Sequence, residues 1–291
     1  MKHRSRILLG VAVVTGFVAP VGAFALSGGP AAAAPPKPLP PAYTCSGGDL
    51  QTGKFVPIPP GTYGSLWIKG ACQTAPGTVI TVVGSVTVQP HAVFDAQSFA
   101  STITVGGDIT TGTGSLLALG CLPDPVGHTT GHPCTDPNTG QPSEEAGSSN
   151  ITVGGNITAS QPDLVLLNGI TVVGNLSVRG SKGTANVHQR TTSIPWAIKN
   201  NTIGGNLTVS DVTPDWFGLL LNHVAGSVTL TNIQITDGLP PANDPGPTVI
   251  VASNTIGVNL ACSGIGPYFW NGFPFEPNIV GGVASGQCAT P

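Results

Sequence analysis

Residues 201–208 read Asn-Thr-Ile-Gly-Gly-Asn-Leu-Thr, and residues 254–260 repeat the pattern as Asn-Thr-Ile-Gly-Val-Asn-Leu. This repeated segment is the strongest indication of the fold. Shorter versions of this pattern recur from residue 82 onward. Aligned copies share one central position, occupied by Gly84, Gly107, Gly155, Gly174, Gly205, Gly226 and Val258. Seven copies of a short repeat indicate stacked structural units.

The positions around the centre form columns of like residues. Two residues before it stand Val82, Val105, Val153, Val172, Ile203, Val224 and Ile256. Two residues after it stand Val86, Ile109, Ile157, Leu176, Leu207, Val228 and Leu260. Three residues after it stand Thr87, Thr110, Thr158, Ser177, Thr208, Thr229 and Ala261. Aliphatic residues alternating with hydroxyl residues predict short strands with one buried face.

The residue directly after the centre is small and polar in every copy: Ser85, Asp108, Asn156, Asn175, Asn206, Ser227 and Asn259. Glycine followed by such a residue predicts a bend, so each copy is strand, corner, strand. Stacked asparagines can bond one another in ladders. We expect one ladder at this corner and a second through Asn201, Asn222 and Asn254.

The spacing of the centres, 23, 48, 19, 31, 21 and 32 residues, suits one circuit of a β-solenoid. We interpret the interval of 48 as two circuits. A third strand is visible in several copies, at residues 163–167, 217–221 and 248–252. These features predict an all-β, right-handed parallel β-helix with three short strands per coil. An antiparallel sandwich or barrel is the alternative, but it gives no reason for the same corner residue in every copy.

The C-terminal region carries a further signature, Cys262-Ser263-Gly264 and Gly286-Gln287-Cys288. With the Asn-Thr-Ile-Gly-Gly-Asn-Leu segments, it resembles a group of exported actinobacterial parallel β-helix proteins. The resemblance covers most of the chain after its first 42 residues, and it implies the fold and a disulfide-tied C-terminus but no activity. Val258 in the glycine position departs from the pattern and leaves the geometry of that corner open.

The N-terminus is typical of an export signal. Lys2, Arg4 and Arg6 precede an apolar run that extends to about residue 25, and small-residue cleavage sites lie at 23–25 and 31–34. An uncleaved membrane anchor is the alternative, although glycines and a proline interrupt the run. We expect a signal peptide at 1–34, a Pro/Ala-rich linker at 35–42, and one domain at 43–291 with caps at 43–78 and 262–291.

Charge and composition limit the partners. Charged residues make up 8% of the chain, and loss of three basic residues with the signal changes the net charge from −3 to −6. That balance excludes a nucleic-acid footprint. No later segment is long and apolar enough to span a bilayer. We expect a secreted protein, extracellular or associated with the cell wall, whose partner is an extracellular polysaccharide.

Six cysteines, an even number, predict disulfides in an exported chain. Sequence proximity favours the pairs Cys45–Cys72, Cys121–Cys134 and Cys262–Cys288. The insertion at 121–145 also holds His128, His132, Asp124, Asp136, Glu144 and Glu145. We interpret it as a disulfide-tied loop rather than a metal site, because it lacks the helix that would align two histidines. No cofactor or metal is expected.

The strings typical of catalytic β-helix enzymes are absent from the sequence. The remaining catalytic candidates are Arg179, His188, Asp211 and Asp215, on loops that leave one edge of the predicted prism. Two aspartates beside Trp216 would suit acid/base work on a sugar. Solvated loop charges are the alternative.

Aromatic residues near the C-terminus are candidate sugar-stacking groups. Tyr268 and Trp270 have this role in the binding hypothesis, and a hydrophobic cap over the last coil is the alternative. Trp196 is expected to face inward. We therefore expect a non-enzymatic structural or binding protein that presents loops from a rigid β-helix; the alternative is a polysaccharide lyase or glycoside hydrolase with a lateral groove.

Overall fold

The computed structural model describes residues 38–124, 131–181, 196–214, 216–235, 249–272 and 276–289. Residues 39–291 form one compact unit. The expected signal peptide and most of the expected linker lie outside the described residues. The described part of the chain consists of strands, turns and bends, with no helix.

The strands, numbered β1 to β28 in chain order, form three sheets. Sheet 1 contains β1 (Tyr43–Cys45), β4 (Leu66–Ile68), β7 (Val86–Val88), β10 (Ile109–Thr111), β13 (Ile157–Ser160), β16 (Leu176–Arg179), β19 (Leu207–Val212), β22 (Val228–Gln234), β25 (Leu260–Gly266) and β28 (Ala284–Gly286). Sheet 2 contains β2 (Val56–Ile58), β5 (Ala71–Thr74), β8 (Val93–Ala96), β11 (Leu116–Leu119), β14 (Leu164–Asn168), β17 (Trp196–Lys199), β20 (Phe217–Leu220), β23 (Val249–Ala252) and β26 (Phe269–Asn271). Sheet 3 contains β3 (Gly61–Tyr63), β6 (Val79–Val82), β9 (Thr102–Val105), β12 (Asn150–Val153), β15 (Thr171–Val172), β18 (Thr202–Ile203), β21 (His223–Val224), β24 (Thr255–Ile256) and β27 (Ile279–Val280).

The pairing of the strands is that of a parallel β-helix. Each strand pairs in parallel with the strand three further along the chain, so the chain visits sheets 1, 2 and 3 once per circuit. Sheets 2 and 3 hold nine strands each and sheet 1 holds ten, which gives nine circuits and one additional strand. The fold class expected from the repeat is confirmed, and the antiparallel alternative is excluded.

The aliphatic columns fill a single interior. Ile109, Ile157 and Leu176 lie in register in sheet 1, and all are buried. Trp196 pairs with Phe217 in sheet 2 and is 3% exposed, so its expected inward orientation is confirmed. Full burial of one aliphatic side chain contributes roughly 1.5–3 kcal/mol, so the regular columns supply most of the driving force for folding.

The interval of 48 residues proved to be one circuit and not two. β10 pairs directly with β13, with Ile109 opposite Ile157. The excess residues lie between β11 and β12, where the link runs from residue 120 to 149. Our interpretation was wrong because an insertion of this length has the same effect on spacing as an additional circuit.

The alignment of the seven repeat copies in the sequence missed two circuits of the structure. One is centred on Gly282, where Val280 pairs with Ile256 and Ala284 pairs with Leu260. The other has a corner at Gly64 that is one residue shorter, since Tyr63 pairs with Val82 and Leu66 pairs with Val86. The segment expected to cap the start, residues 43–78, thus contributes strands to all three sheets, and so does the segment 262–291.

Both expected ladders of polar side chains are present. At the corner between sheets 2 and 3, Asn201 donates to Asn222 at 3.0 Å and Asn222 donates to Asn254 at 2.9 Å. Asn254 continues the ladder to Asn278 at 2.8 Å. At the corner between sheets 3 and 1, Asn175 donates to Asn156 at 3.0 Å. The first ladder is buried down to Asn254 and the second is largely exposed.

The corner at Val258 keeps its hydrogen bonds to the circuits on both sides. Val258 N donates to Gly226 O at 3.2 Å, whereas the matching bond from Gly205 to Gly174 is 2.9 Å. Asn259 N donates to Ser227 Oγ at 3.4 Å. Gly282 N donates to Val258 O at 2.6 Å, so a side chain in the glycine position is accommodated without loss of the hydrogen bonds between circuits.

The three disulfides join the cysteines that sequence proximity favoured: Cys45–Cys72, Cys121–Cys134 and Cys262–Cys288. The first ties sheets 1 and 2 in the first two circuits, and the last ties β25 to the turn after β28. The predicted disulfide-tied ends are confirmed.

Candidate functional site

The edge between sheets 1 and 2 carries two of the four catalytic candidates. Arg179 Nε lies 3.7 Å from Asp211 Oδ2, and the two side chains are 77% and 48% exposed. Asn232 Nδ2 donates to Asp211 Oδ1 at 3.1 Å. His188 and Asp215 lie outside the described residues, so the structure brings Arg179 and Asp211 together and shows nothing of the other two.

Asp211 owes its position to the backbone. Asp211, Asn232 and Gly264 have φ angles of 57°, 51° and 63°, which bend β19, β22 and β25 so that the next residue turns inward. Aspartate, asparagine and glycine are the residues that tolerate such angles. An exposed ion pair of this kind contributes little to stability, typically below about 1 kcal/mol.

The aromatic candidates lie at different places. Trp216 and Trp270 are half-buried and pack against Leu220 and Ile250 on the outer side of sheet 2. The ring of Trp216 also covers Gly218, where an added Cβ would clash with it. Tyr268 is 59% exposed in the last circuit. Of the three, Tyr268 offers the most open ring.

A charged cluster that the sequence did not predict lies on the outer side of sheet 2. The half-buried Lys199 Nζ donates to Gly131 O, within the disulfide-tied insertion, at 2.8 Å. Burial lowers the pKa of Lys199, and the charge of Asp124 acts against that shift. This contact was not predictable from either segment, because Lys199 and Gly131 are 68 positions apart.

Asp95, near Lys199, uses its carboxylate in hydrogen bonds to neighbouring residues. Its carboxylate accepts from the backbone N–H groups of Gln97 and Ser98, from Ser98 Oγ and from Gln73 Nε2. No group of three or more His, Cys, Asp or Glu side chains in the described residues is placed to hold a metal ion. Of the insertion's possible ligands, His128 lies outside the described residues.

Rows of hydroxyl side chains are the most extensive surface feature. On the outside of sheet 3 one column runs Thr62, Thr81, Thr104, Thr152, Thr171, Thr202, His223, Thr255 and Ile279. On the outside of sheet 1 another runs Thr44, Trp67, Thr87, Thr110, Thr158, Ser177, Thr208, Thr229, Ala261 and Ser285. We call them the sheet-3 column and the sheet-1 column.

The two columns flank the corner between sheets 3 and 1, whose own column of Ser, Asp and Asn residues lies between them. Neighbouring members of a column are about 4.8 Å apart, the spacing between paired strands. The hydroxyls of Thr104, Thr158 and Thr202 make no hydrogen bond to other described residues, and all three side chains reach solvent. They are therefore free to bond to a ligand.

The sheet-1 column includes Trp67, which is 39% exposed in the second circuit. Sequence reasoning missed Trp67 because its corner is one residue shorter than the aligned copies. It also missed the sheet-3 column, although a signal existed: Thr81, Thr104, Thr152, Thr171, Thr202 and Thr255 each stand three residues before a centre. In the sequence, the sheet-1 threonines indicate strands and do not by themselves identify a surface column.

The columns suit a neutral, hydroxyl-rich ligand. Each threonine hydroxyl both donates and accepts, and the two columns contain no Asp, Glu, Lys or Arg side chain. A polyanion would require cations along the surface.

No family model, curated protein or solved structure matches the chain. Among the described residues, no helix is long and apolar enough to cross a membrane.

Proposed function

We propose that the protein is a secreted, non-enzymatic binding scaffold whose sheet-3 and sheet-1 columns bind an uncharged extracellular polysaccharide. The observation that carries the proposal is the run of hydroxyls in register over successive circuits on both sides of one corner. A polymer with its own regular repeat can meet such a surface at many points, so that weak individual bonds add up.

Trp67 supports a carbohydrate ligand in particular. Indole rings stack on apolar surfaces while their N–H bonds to polar groups, which suits the two-sided character of a sugar ring. Its place in the sheet-1 column puts the ring in line with the hydroxyls of Thr44 and Thr87.

The disulfides support the extracellular location. Disulfides persist in oxidising compartments, and all six cysteines of the chain are paired. A rigid, covalently tied scaffold also loses little conformational freedom when it binds. Both properties agree with a protein that works outside the cell.

The proposal is tested by co-sedimentation of the purified protein with insoluble cellulose, chitin and a neutral β-glucan. We expect at least one polymer to remove the protein from solution. The double variant Thr171→Lys/Thr202→Lys should weaken that binding at least tenfold, because two long charged side chains would hold the polymer off adjacent circuits. Trp67→Ala should weaken it as well.

A matched control is the double variant Thr52→Lys/Thr139→Lys, which changes two exposed threonines outside the columns. It should bind as the native protein does. If no polymer binds, or if both double variants bind equally, the columns are not the binding surface.

Catalysis is the alternative, and the exposed carboxylate of Asp211 beside Arg179 is the observation that favours it. Incubation with the same polymers distinguishes the two functions. Release of soluble products in excess over the protein would identify an enzyme. In that case Asp211→Ala and Asp215→Ala should abolish the release while thermal unfolding stays unchanged.

A further inference from the structure

The corner between sheets 3 and 1 keeps nearly the same length in every circuit. It has two residues in the first circuit, Gly64 and Ser65, and three in each of the others. The long links, at residues 120–149, 180–195 and 235–248, all begin at the other two corners. No insertion therefore starts within the surface that the sheet-3 column, this corner and the sheet-1 column form along the β-helix.

A row of backbone carbonyl groups that lack hydrogen-bond donors runs along this corner. The row belongs to the residue before each central position, and its members are Val83, Gly106, Gly154, Val173, Gly204, Ala225, Gly257 and Gly281. The bonds between circuits use other oxygens here, since Gly205 N donates to Gly174 O and Gly204 N donates to Val172 O. The carbonyl oxygens of the row accept no hydrogen bond from the described residues, and all its members are exposed. We call it the acceptor row.

The side chain at each place in the acceptor row lies over the carbonyl oxygen of the member one circuit earlier. A Cβ added at Gly204 would meet Val173 O, and one added at Gly257 would meet Ala225 O. Glycine at these places therefore leaves the preceding oxygen open to a ligand. Val173, which stacks on Gly154 in the same register, instead covers the oxygen before it.

An acceptor row between two hydroxyl columns selects the chemistry of the ligand. Carbonyl oxygens accept hydrogen bonds and cannot donate them, so the ligand must present donors in line along the corner. The threonine hydroxyls on either side also donate, so they can bond to the ligand's own oxygens. A neutral polysaccharide carries hydroxyls of both roles at every sugar. Neighbouring strands are about 4.8 Å apart, which is close to the length of one sugar in an extended chain.

We propose that the polysaccharide lies along the acceptor row, parallel to the axis of the β-helix, with about one sugar per circuit. This inference rests on the function proposed for the columns and states how the ligand lies on them. The row extends over roughly 34 Å, because seven strand spacings separate Val83 from Gly281.

A polysaccharide that crossed the surface at right angles to the axis would use much less of it. Six residue steps separate a member of the sheet-3 column from the next member of the sheet-1 column, for example Thr202 from Thr208. At roughly 3.3 Å per residue the crossing is about 20 Å at most, enough for about four sugars. Such a chain would meet only one member of the acceptor row.

The first test is competition with soluble oligosaccharides of two, four and six sugars, prepared from the polymer that sediments the protein. The probes are cellodextrins for cellulose, chitin oligomers for chitin and glucan oligomers for the β-glucan. Six sugars should displace the protein at a concentration at least about tenfold lower than four sugars, because each further sugar meets a further circuit. A crossing chain predicts only the few-fold statistical advantage of a longer oligomer.

The second test changes the side chains that cover the acceptor row. Ala225→Val should weaken binding of the polymer about threefold, because the larger side chain covers Gly204 O. Val173→Ala should strengthen binding by about the same factor, because it uncovers Gly154 O. Both places already carry a Cβ and are exposed, so thermal unfolding should not change. Val79→Ala is the matched control: Val79 is exposed to the same extent as Val173, 57%, but lies outside the row, and its loss should not affect binding.

The orientation is wrong if a polymer binds and six sugars compete no more than about threefold better than four. It is also wrong if Ala225→Val and Val173→Ala both bind as the native protein does, or if Val79→Ala strengthens binding as much as Val173→Ala. In each case weaker binding by Thr171→Lys/Thr202→Lys would still support the columns as the binding surface. If no polymer binds, the proposed function and the orientation fail together.

Discussion

Asparagine suits the corner between sheets 2 and 3 because its amide both donates and accepts, so that identical side chains bond in a row. Asn222 accepts from Asn201, and it donates to Asn254 Oδ1 and to the backbone oxygen of Ile198 at 2.8 Å. Each bond joins one circuit to its neighbour. The ladder thus helps to fix the register of this corner.

Asn222→Ala should lower the free energy of unfolding by roughly 2–4 kcal/mol, because it removes the buried bonds that Asn222 accepts from the backbone N–H and the side-chain amide of Asn201 and the bond that it donates to Ile198 O. Chemical denaturation followed by circular dichroism measures the loss. Asn206→Ala, in the exposed ladder of the other corner, is the matched control and should cost at most about 1 kcal/mol since water replaces its bonds. Equal losses would contradict this account.

The strands themselves were largely predictable from the sequence, since each aliphatic column repeats with the same neighbours. Thr158 and Thr208, for example, follow buried Ile157 and Leu207 as the alternation requires. Asn278 was missed because the circuit centred on Gly282 has valine where the other copies have a polar residue. Contacts between distant segments were beyond prediction, as Lys199 and Gly131 show: nothing in either segment specifies the other.

The link between β11 and β12 is the element where sequence interpretation failed. In the next circuit, two residues, Asn168 and Gly169, connect Leu167 to Ile170. One circuit earlier, Leu119 lies opposite Leu167 and Ile151 lies opposite Ile170, so the same two-residue connection would join them. The remaining residues of the link form an insertion closed by the Cys121–Cys134 disulfide. The circuit therefore does not depend on the insertion.

Replacing residues 120–150 by Asn-Gly should leave the β-helix folded, with a free energy of unfolding within about 1 kcal/mol of the native value, because long surface loops add little to stability. The replacement removes Cys121 and Cys134 together, so no thiol is left unpaired. Circular dichroism and denaturation measure the result. Replacement by Asn alone is the control: a link one residue shorter than Asn168-Gly169 strains this corner, and that variant should be less stable than the Asn-Gly variant.

At the scale of the whole molecule, each circuit pairs its strands only with those of its two neighbours, so the stability of the chain is close to a sum over circuits and the interfaces between them. A complete circuit should therefore be removable. Deleting residues 205–225 joins Gly204 to Gly226, which restores the Ile-Gly-Gly-Ser sequence of a normal corner. In the shortened chain Leu176 would face Val228, and Asn201 would face Asn254, as equivalent residues do now.

The shortened chain should fold, with all six cysteines still paired and with a lower midpoint of thermal unfolding, because one interface between circuits is lost. Circular dichroism and a thiol assay test this. Deleting residues 205–215 is the matched control, since it removes about half a circuit and leads the chain from sheet 3 directly to sheet 2. That deletion places every later strand one sheet out of phase with the circuits before it. If both deletions fold, or if the complete-circuit deletion exposes thiols, the circuits are not the independent units that their pairing implies.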